Sequence, residues 1–172
     1  MRKRFVRLLR TRLLQLKGMR ALPGSRVFHG VEITHPRNVR LGHDAVLYQH
    51  ASVLTGTRGQ FRMGNNSHLS SYVYLLIQDN TLDIGDHVAV GPFTAMFCHS
   101  HDIQDTSQAF ANSYMDADIH IGSNVFIGSH CIILPGTRID DHVVLAANSV
   151  ASGHLVSGYL YAGSPARQVK AL

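Results

Sequence analysis

The sequence predicts an all-β chain: a triangular parallel solenoid of six-residue units, preceded by a basic amphipathic helix and carrying one protruding loop. Three observations predict it. An aliphatic residue returns every six positions at Ile121, Ile127, Ile133, Ile139 and Leu145. The same beat sounds earlier, at Leu41, Leu47 and Val53, at Met63, Leu69 and Leu75, and at Ile84, Val90 and Met96. A small or acidic residue follows the aliphatic one in four of the five C-terminal hexads, Leu134 being the exception. Neither a helix (period 3.6) nor a simple strand (period 2) holds a six-residue spacing. A fixed short period marks a repeat architecture, in which each turn buries its face only by stacking on its neighbours.

Each element follows from this beat. A hexad supplies one short strand and one corner, its aliphatic residue points inward, and three hexads close a coil. The Gly, Asn and Asp beside the aliphatic positions suit corners with left-handed backbone angles. At 172 residues with no Trp, the chain makes one domain with a narrow aliphatic core.

Residues 1–26 hold nine of the sixteen Lys and Arg and no acidic residue, whereas the remainder holds seven against eleven Asp and Glu. The net charge of +5 therefore lives in the leader, and a nucleic-acid-binding body is not expected. Residues 1–22 read as an amphipathic helix ended by Pro23-Gly24-Ser25, with residues 23–170 as the solenoid. Phe5, Val6, Leu8, Leu9, Leu13, Leu16 and Met19 share one face, opposite Lys3, Arg4, Arg7, Arg10 and Lys17. This helix packs on the solenoid's open end or a neighbouring subunit, lies on an anionic membrane surface, or serves as an organellar leader. No apolar run is long enough to span a membrane, and Cys98 and Cys131 have no zinc-site or disulfide-framework spacing. A cytoplasmic setting, with peripheral contact at the inner membrane through residues 1–22, is the expectation.

The informative break in the beat follows Met96, over the inserted loop 97–119. Long loops on rigid scaffolds are where binding and catalytic residues concentrate. This one opens with His99-Ser100-His101-Asp102, and histidine is the side chain best suited to proton transfer near neutral pH. The two residues are alternative bases at this point. Cys98 beside them raises a thiol-acyl alternative, which would require an activated thiol.

The hexads resemble the hexapeptide-repeat family, the left-handed parallel β-helix acyltransferases, over roughly residues 27–170. The resemblance supplies the left hand, a homotrimer and acetyl-CoA as co-substrate. Within the family the maltose, galactoside and capsular-polysaccharide O-acetyltransferases place a catalytic histidine seventeen residues after the Ile of an Ile-Gly-Asp hexad. Counted from Ile84, that position is His101, in a Ser-His-Asp context. The implied reaction moves an acetyl group from acetyl-CoA to a saccharide hydroxyl, with His101 as general base and Asp102 or a backbone carbonyl orienting its ring. The acceptor is a sugar, nucleotide-linked or lipid-linked, of a cell-surface polysaccharide precursor. Asp79 falls at a carboxylate position implied to contact the acceptor; Ser71 stands where the galactoside and maltose enzymes tend to carry Asn, which leaves acceptor identity open. For the coenzyme, the resemblance implies Phe126 as an aromatic wall and Ser129 and Ala147 along the pantetheine arm. It also implies Ser152 where Thr is common, and Arg167 and Lys170 at the phosphates. Gly153 departs from a frequent Lys.

Two other classes share the fold. A γ-carbonic-anhydrase-like metalloenzyme would need a His-x4-His pair, and no two histidines here are five apart, so no metal ligands are assigned. A non-catalytic trimeric scaffold would use the basic leader in three copies.

Overall fold

The computed structural model describes residues 10–172. It is a left-handed parallel β-helix of about six turns. The first coil holds Arg20–Ala21 (β1), Arg26–Val27 (β2) and Glu32–Ile33 (β3); the second holds Val39–Leu41 (β4), Val46–Leu47 (β5) and Ser52–Thr55 (β6). Gln60–Met63 (β7), His68–Leu69 (β8) and Tyr74–Gln78 (β9) follow, then Thr81–Ile84 (β10), Ala89–Val90 (β11) and Ala95–Phe97 (β12). There the chain leaves the prism as a hairpin of His99–His101 (β13) and Tyr114–Asp116 (β14). It returns through Ile119–Ile121 (β15), Phe126–Ile127 (β16) and Ile132–Ile133 (β17), then Arg138–Ile139 (β18), Val144–Leu145 (β19) and Val150–Ala151 (β20). His154–Leu155 (β21) and Tyr159–Ala162 (β22) begin a last coil, and Arg167–Ala171 (β23) folds back antiparallel on β22.

Three parallel sheets make the faces. The first runs β1-β4-β7-β10-β15-β18-β21, the second β2-β5-β8-β11-β16-β19-β22 with β23 at its edge, and the third β3-β6-β9-β12-β17-β20. The six-residue beat becomes three buried columns. Leu41, Met63, Ile84, Ile121, Ile139 and Leu155 stack on the first face. Leu47, Leu69, Val90, Ile127 and Leu145 stack on the second, and Val53, Leu75, Met96 and Ile133 on the third. Burying each such side chain contributes roughly 1.5–3 kcal/mol.

The corners correct one expectation. The left-handed residue is the fourth of the hexad, not the one beside the aliphatic: His87, His130, His142, Asn124 and Asn148 have φ of 54–60°. Gly85, next to Ile84, is needed for space, because a Cβ there would lie 2.6–2.7 Å from Ser123 and Gly122 of the next coil. The coil-to-coil approach, rather than backbone angle, demands glycine at that position.

The N-terminal boundary also differs. Residues 10–16 are helical, and Gly18 (φ 100°) ends the helix with Met19 N–H on the Leu14 carbonyl and Gly18 N–H on that of Gln15. This is a glycine C-cap, five residues ahead of Pro23. The solenoid starts at Arg20, since β1 already pairs with β4. The helix meets the first coil with Leu14 against the core and with polar groups: Thr11 Oγ1 accepts the Val27 N–H at 3.0 Å, Arg10 donates to the Val31 carbonyl and Gln15 to that of Ala21. An open coil edge has unpaired backbone groups, so the helix turns hydrogen-bonding residues toward it. Leu13 and Leu16, expected on a packed face, are exposed. Lys3, Arg4, Phe5, Val6, Arg7, Leu8 and Leu9 lie outside the described residues.

Candidate active site

The hairpin that carries the two histidines is anchored at its base. Cys98 is fully buried; its N–H reaches the Leu76 carbonyl, and its carbonyl accepts from Ala117 N–H and Asn80 Nδ2. Burial, and then the nearby Asp118 carboxylate, push the thiol up to about 12. Such a thiol supplies no thiolate nucleophile near neutral pH, so the thiol-acyl alternative fails.

Beyond Cys98, His99 pairs with Asp116, Ser100 with Met115 and His101 with Tyr114. Residues two apart on a strand share a face, so both imidazoles flank the Tyr114 ring, with centroids 4.9 Å (His99) and 4.7 Å (His101) away. His101 Nδ1 lies 3.3 Å from the Ser113 carbonyl. A carbonyl oxygen only accepts, so Nδ1 carries the hydrogen and the lone pair of the neutral ring is at Nε2. Asp102 does not touch the ring: its carboxylate accepts the Gln104 N–H at 2.8 Å. Of the two orienting groups the sequence leaves open, the backbone carbonyl holds the place.

His99 has a carboxylate partner. Its Nδ1 lies 3.0 Å from Asp116 Oδ1, which also accepts from Asn80 Nδ2 at 2.8 Å. The Asn80 amide, followed by His99, holds the Asp116 carboxyl below the usual carboxylate range. An open groove of about 590 Å³ is lined by Arg58, Gln78, Asp79, Asn80, His99 and Asp116. Asp79 is fixed there by Arg58, whose backbone N–H (3.0 Å) and guanidinium (3.1 Å) both reach it and lower its pKa. Asp79 thus shares a groove with the histidine hairpin. Ser71 does not: it sits at the corner between the second and third faces, its hydroxyl 3.3 Å from Gln49 Oε1.

The positions implied for the coenzyme occupy the last coils but spread over different faces. Phe126 stands 51% exposed on the second face, in a shallow groove of about 420 Å³ with His87, His142, Val144 and Leu172. Ser129 and Ala147 sit one coil apart at the next corner, where Gly91 and Gly128 let the backbones approach. Ser152 follows β20, and Gly153 beside it has φ of 71°, a left-handed angle that a Lys would hold under strain. Arg167 and Lys170 are exposed on β23. His101 lines neither the Phe126 groove nor the Asp79 groove. Asn80, Asp116, Tyr114 and Arg58 carry no sequence signal of their own, because only the hairpin register and coil stacking bring them to the histidines. Among the described residues no three His, Cys, Asp or Glu side chains gather to hold a metal.

A solenoid of stacked hexads with one histidine-bearing hairpin defines a class, the hexapeptide-repeat proteins. The bacterial transferase hexapeptide (six repeats) family matches residues 118–153. Galactoside O-acetyltransferase of Escherichia coli strain K12 is 30% identical over 115 residues, covering 64% of this chain and 56% of that protein. The putative lipopolysaccharide biosynthesis O-acetyl transferase WbbJ of the same strain is 26% identical over 121 residues, covering 66% and 61%. A hexapeptide-repeat acetyltransferase from Vibrio cholerae, solved with acetyl coenzyme A, superposes with a TM-score of 0.67 at 29% identity, covering 77% of this chain and 70% of that one. The chain is thus similar to hexapeptide-repeat acetyltransferases, and its matches to these two curated relatives span between half and two thirds of their length.

Proposed function

We propose that the protein is an acetyl-CoA-dependent O-acyltransferase acting on a saccharide hydroxyl, with His101 as general base. The observation that carries this reading is the His101 ring, tied at Nδ1 to the Ser113 carbonyl with Nε2 left to accept a proton. It stands on the longest excursion that the described coils make from the six-residue beat. A sugar hydroxyl is a poor nucleophile at neutral pH. His101 Nε2 takes its proton as the oxygen attacks the thioester carbon; the tetrahedral intermediate then collapses, the C–S bond breaks, and the Nε2 proton passes to the departing thiolate. General-base assistance of this kind contributes about 10²–10⁴ in rate. The developing oxyanion needs preorganised donors, which backbone N–H groups at a coil corner supply.

A homotrimer completes this reading. Phe126, Ser129, Ala147 and Ser152 sit on the last coils, and a neighbouring solenoid laid alongside supplies the missing wall for acetyl-CoA. Arg167 and Lys170 then serve its phosphates. Resemblance to the galactoside and lipopolysaccharide enzymes favours a cell-surface glycan precursor as acceptor, and the basic leader favours a cytoplasmic protein that touches the inner membrane.

The test is thiol release from acetyl-CoA over a panel of sugars and nucleotide-sugars. His101→Ala should lower kcat by about 10²–10⁴ while sedimentation shows the same assembly. Turnover unchanged by the substitution removes His101 as base. Turnover confined to amino acceptors overturns O-acyl transfer, and no turnover with any acceptor favours the scaffold.

A further inference from the structure

The outward positions of the first face form one column in cross-strand register: Arg20, Arg40, Arg62, Asp83, His120, Arg138 and His154. Successive strands lie about 4.8 Å apart. Like charges directly opposite each other destabilise a sheet, yet three arginines stand in succession. The carboxylates of this face are already matched. Asp83 lies 3.2 Å from Arg62 and 3.6 Å from His120, and Asp140 lies 3.2 Å from Arg138 and 2.9 Å from His154. Among the described residues no carboxylate comes within ion-pair distance of Arg20 or Arg40.

The column forms one wall of a groove of about 1110 Å³ along the prism. Its floor includes bare backbone. Gly42, Gly64 and Gly85 follow the inward aliphatic residue of successive coils, and a Cβ on any of them would lie 2.6–2.7 Å from the next coil's main chain. The other end of the groove is acidic, with Asp140 and Asp141 beside His142, and Asp86 lies between the two ends. The groove is therefore uneven along its length, with unpaired guanidinium groups at the low-numbered end and, at the other, Asp141 beside an Asp140 already paired with Arg138 and His154.

We infer that this groove binds a saccharide bearing an anionic group, a phosphate or a carboxylate. The anion sits against Arg20 and Arg40, and the sugar hydroxyls point toward the carboxylate end. Guanidinium forks match both anions in shape and charge, and carboxylates accept hydrogen bonds from hydroxyls. An anionic lipid surface fits less well, because the unpaired cations are confined to one end of the groove. The saccharide half of the assignment rests on the acyl-transfer reading; the anionic half rests on the arginines alone.

Calorimetric titration of the full chain, with no acyl donor present, tests the site. The probes are glucose 1-phosphate, glucuronate, methyl glucoside and inorganic phosphate. At least one anionic sugar should bind, and methyl glucoside should bind on the order of tenfold more weakly. Arg20→Gln with Arg40→Gln should weaken the anionic sugar on the order of tenfold. Arg138→Gln, whose partner is Asp140, should change it by less than roughly twofold. All three side chains are exposed, and unchanged thermal melts will show that the fold survives. The site is overturned if neither anionic sugar binds, if the double variant binds as well as the parent, or if inorganic phosphate binds as tightly as glucose 1-phosphate, which marks an adventitious anion contact. Arginine-dependent binding to phosphatidylglycerol vesicles without binding to either sugar also overturns it. Because no donor is present, a negative result leaves acyl transfer standing, and His101→Ala should bind like the parent.

Discussion

At the scale of single residues, the tautomer of His101 is set by main chain rather than by a carboxylate. The Ser113 carbonyl takes the Nδ1 hydrogen, while Asp102, the acidic neighbour in sequence, closes a local turn on Gln104. Where an Asp does define a catalytic tautomer, conversion to Asn lowers kcat by about 10⁴. Here Asp102→Asn keeps an oxygen for the Gln104 N–H, so kcat should stay within a few-fold of the parent in the thiol-release assay. A loss approaching that of His101→Ala would place Asp102 on the ring after all. His101 was legible in the sequence through its spacing from Ile84; its orienting group was not. Ser113 lies twelve residues away, and only the pairing of two three-residue strands brings it back. The same holds for Asp116, which meets His99 across the hairpin, and for Asn80, which reaches Asp116 from the coil before the insertion.

At the scale of elements, the tip of the hairpin is built on one carboxylate. Asp105 accepts from the Ser107 hydroxyl and N–H, from the Gln108 amide and from the Ser113 hydroxyl. These bonds, the Ser107 hydroxyl foremost, lower its pKa from an ordinary 3.8 to about 2. A carboxyl depressed by folding stabilises the fold above its unfolded pKa, and that stability is lost as pH falls through the folded value. The tip should therefore loosen between pH 3.8 and about 2, seen as loss of amide chemical-shift dispersion over residues 102–113 with the solenoid signals retained. A tip that stays ordered at the bottom of this window contradicts the assignment. The solenoid strands were legible because every aliphatic residue of the beat points inward. The helix end was misplaced because Pro23-Gly24 is a conspicuous stop, whereas Gly18 acts through a cap that depends on left-handed backbone.

At the scale of the molecule, the N-terminal segment does two jobs that sequence alone merges into one. Thr11, Arg10 and Gln15 close the first coil, while Leu13 and Leu16 face outward, Leu16 at 85% exposure. Deleting residues 1–22 would remove β1 and its pairing with β4 along with any anchor, so membrane contact is better tested by Leu13→Ser with Leu16→Ser. If the segment is the anchor, this variant should lose flotation with anionic vesicles while melting like the parent. Equal flotation assigns membrane contact elsewhere or removes it. No helix among the described residues is long and apolar enough to cross a bilayer. Amphipathicity foretold an apolar face and a polar face, but the side that meets the open coil is mixed: Leu14 and Met19 pack on the core while Arg10, Thr11 and Gln15 hydrogen-bond the coil edge.

The place where the hairpin leaves the prism has a further consequence. β10 pairs directly with β15 and β12 with β17, so the coils on either side of the insertion stack as though nothing stood between them. Doubling the length of such a loop costs only about 0.6 kcal/mol in closure entropy. Folding of the solenoid and the length of the insertion are thereby uncoupled. The segment can be shortened, extended or exchanged with little effect on the core, and one solenoid can carry different hairpins without being rebuilt.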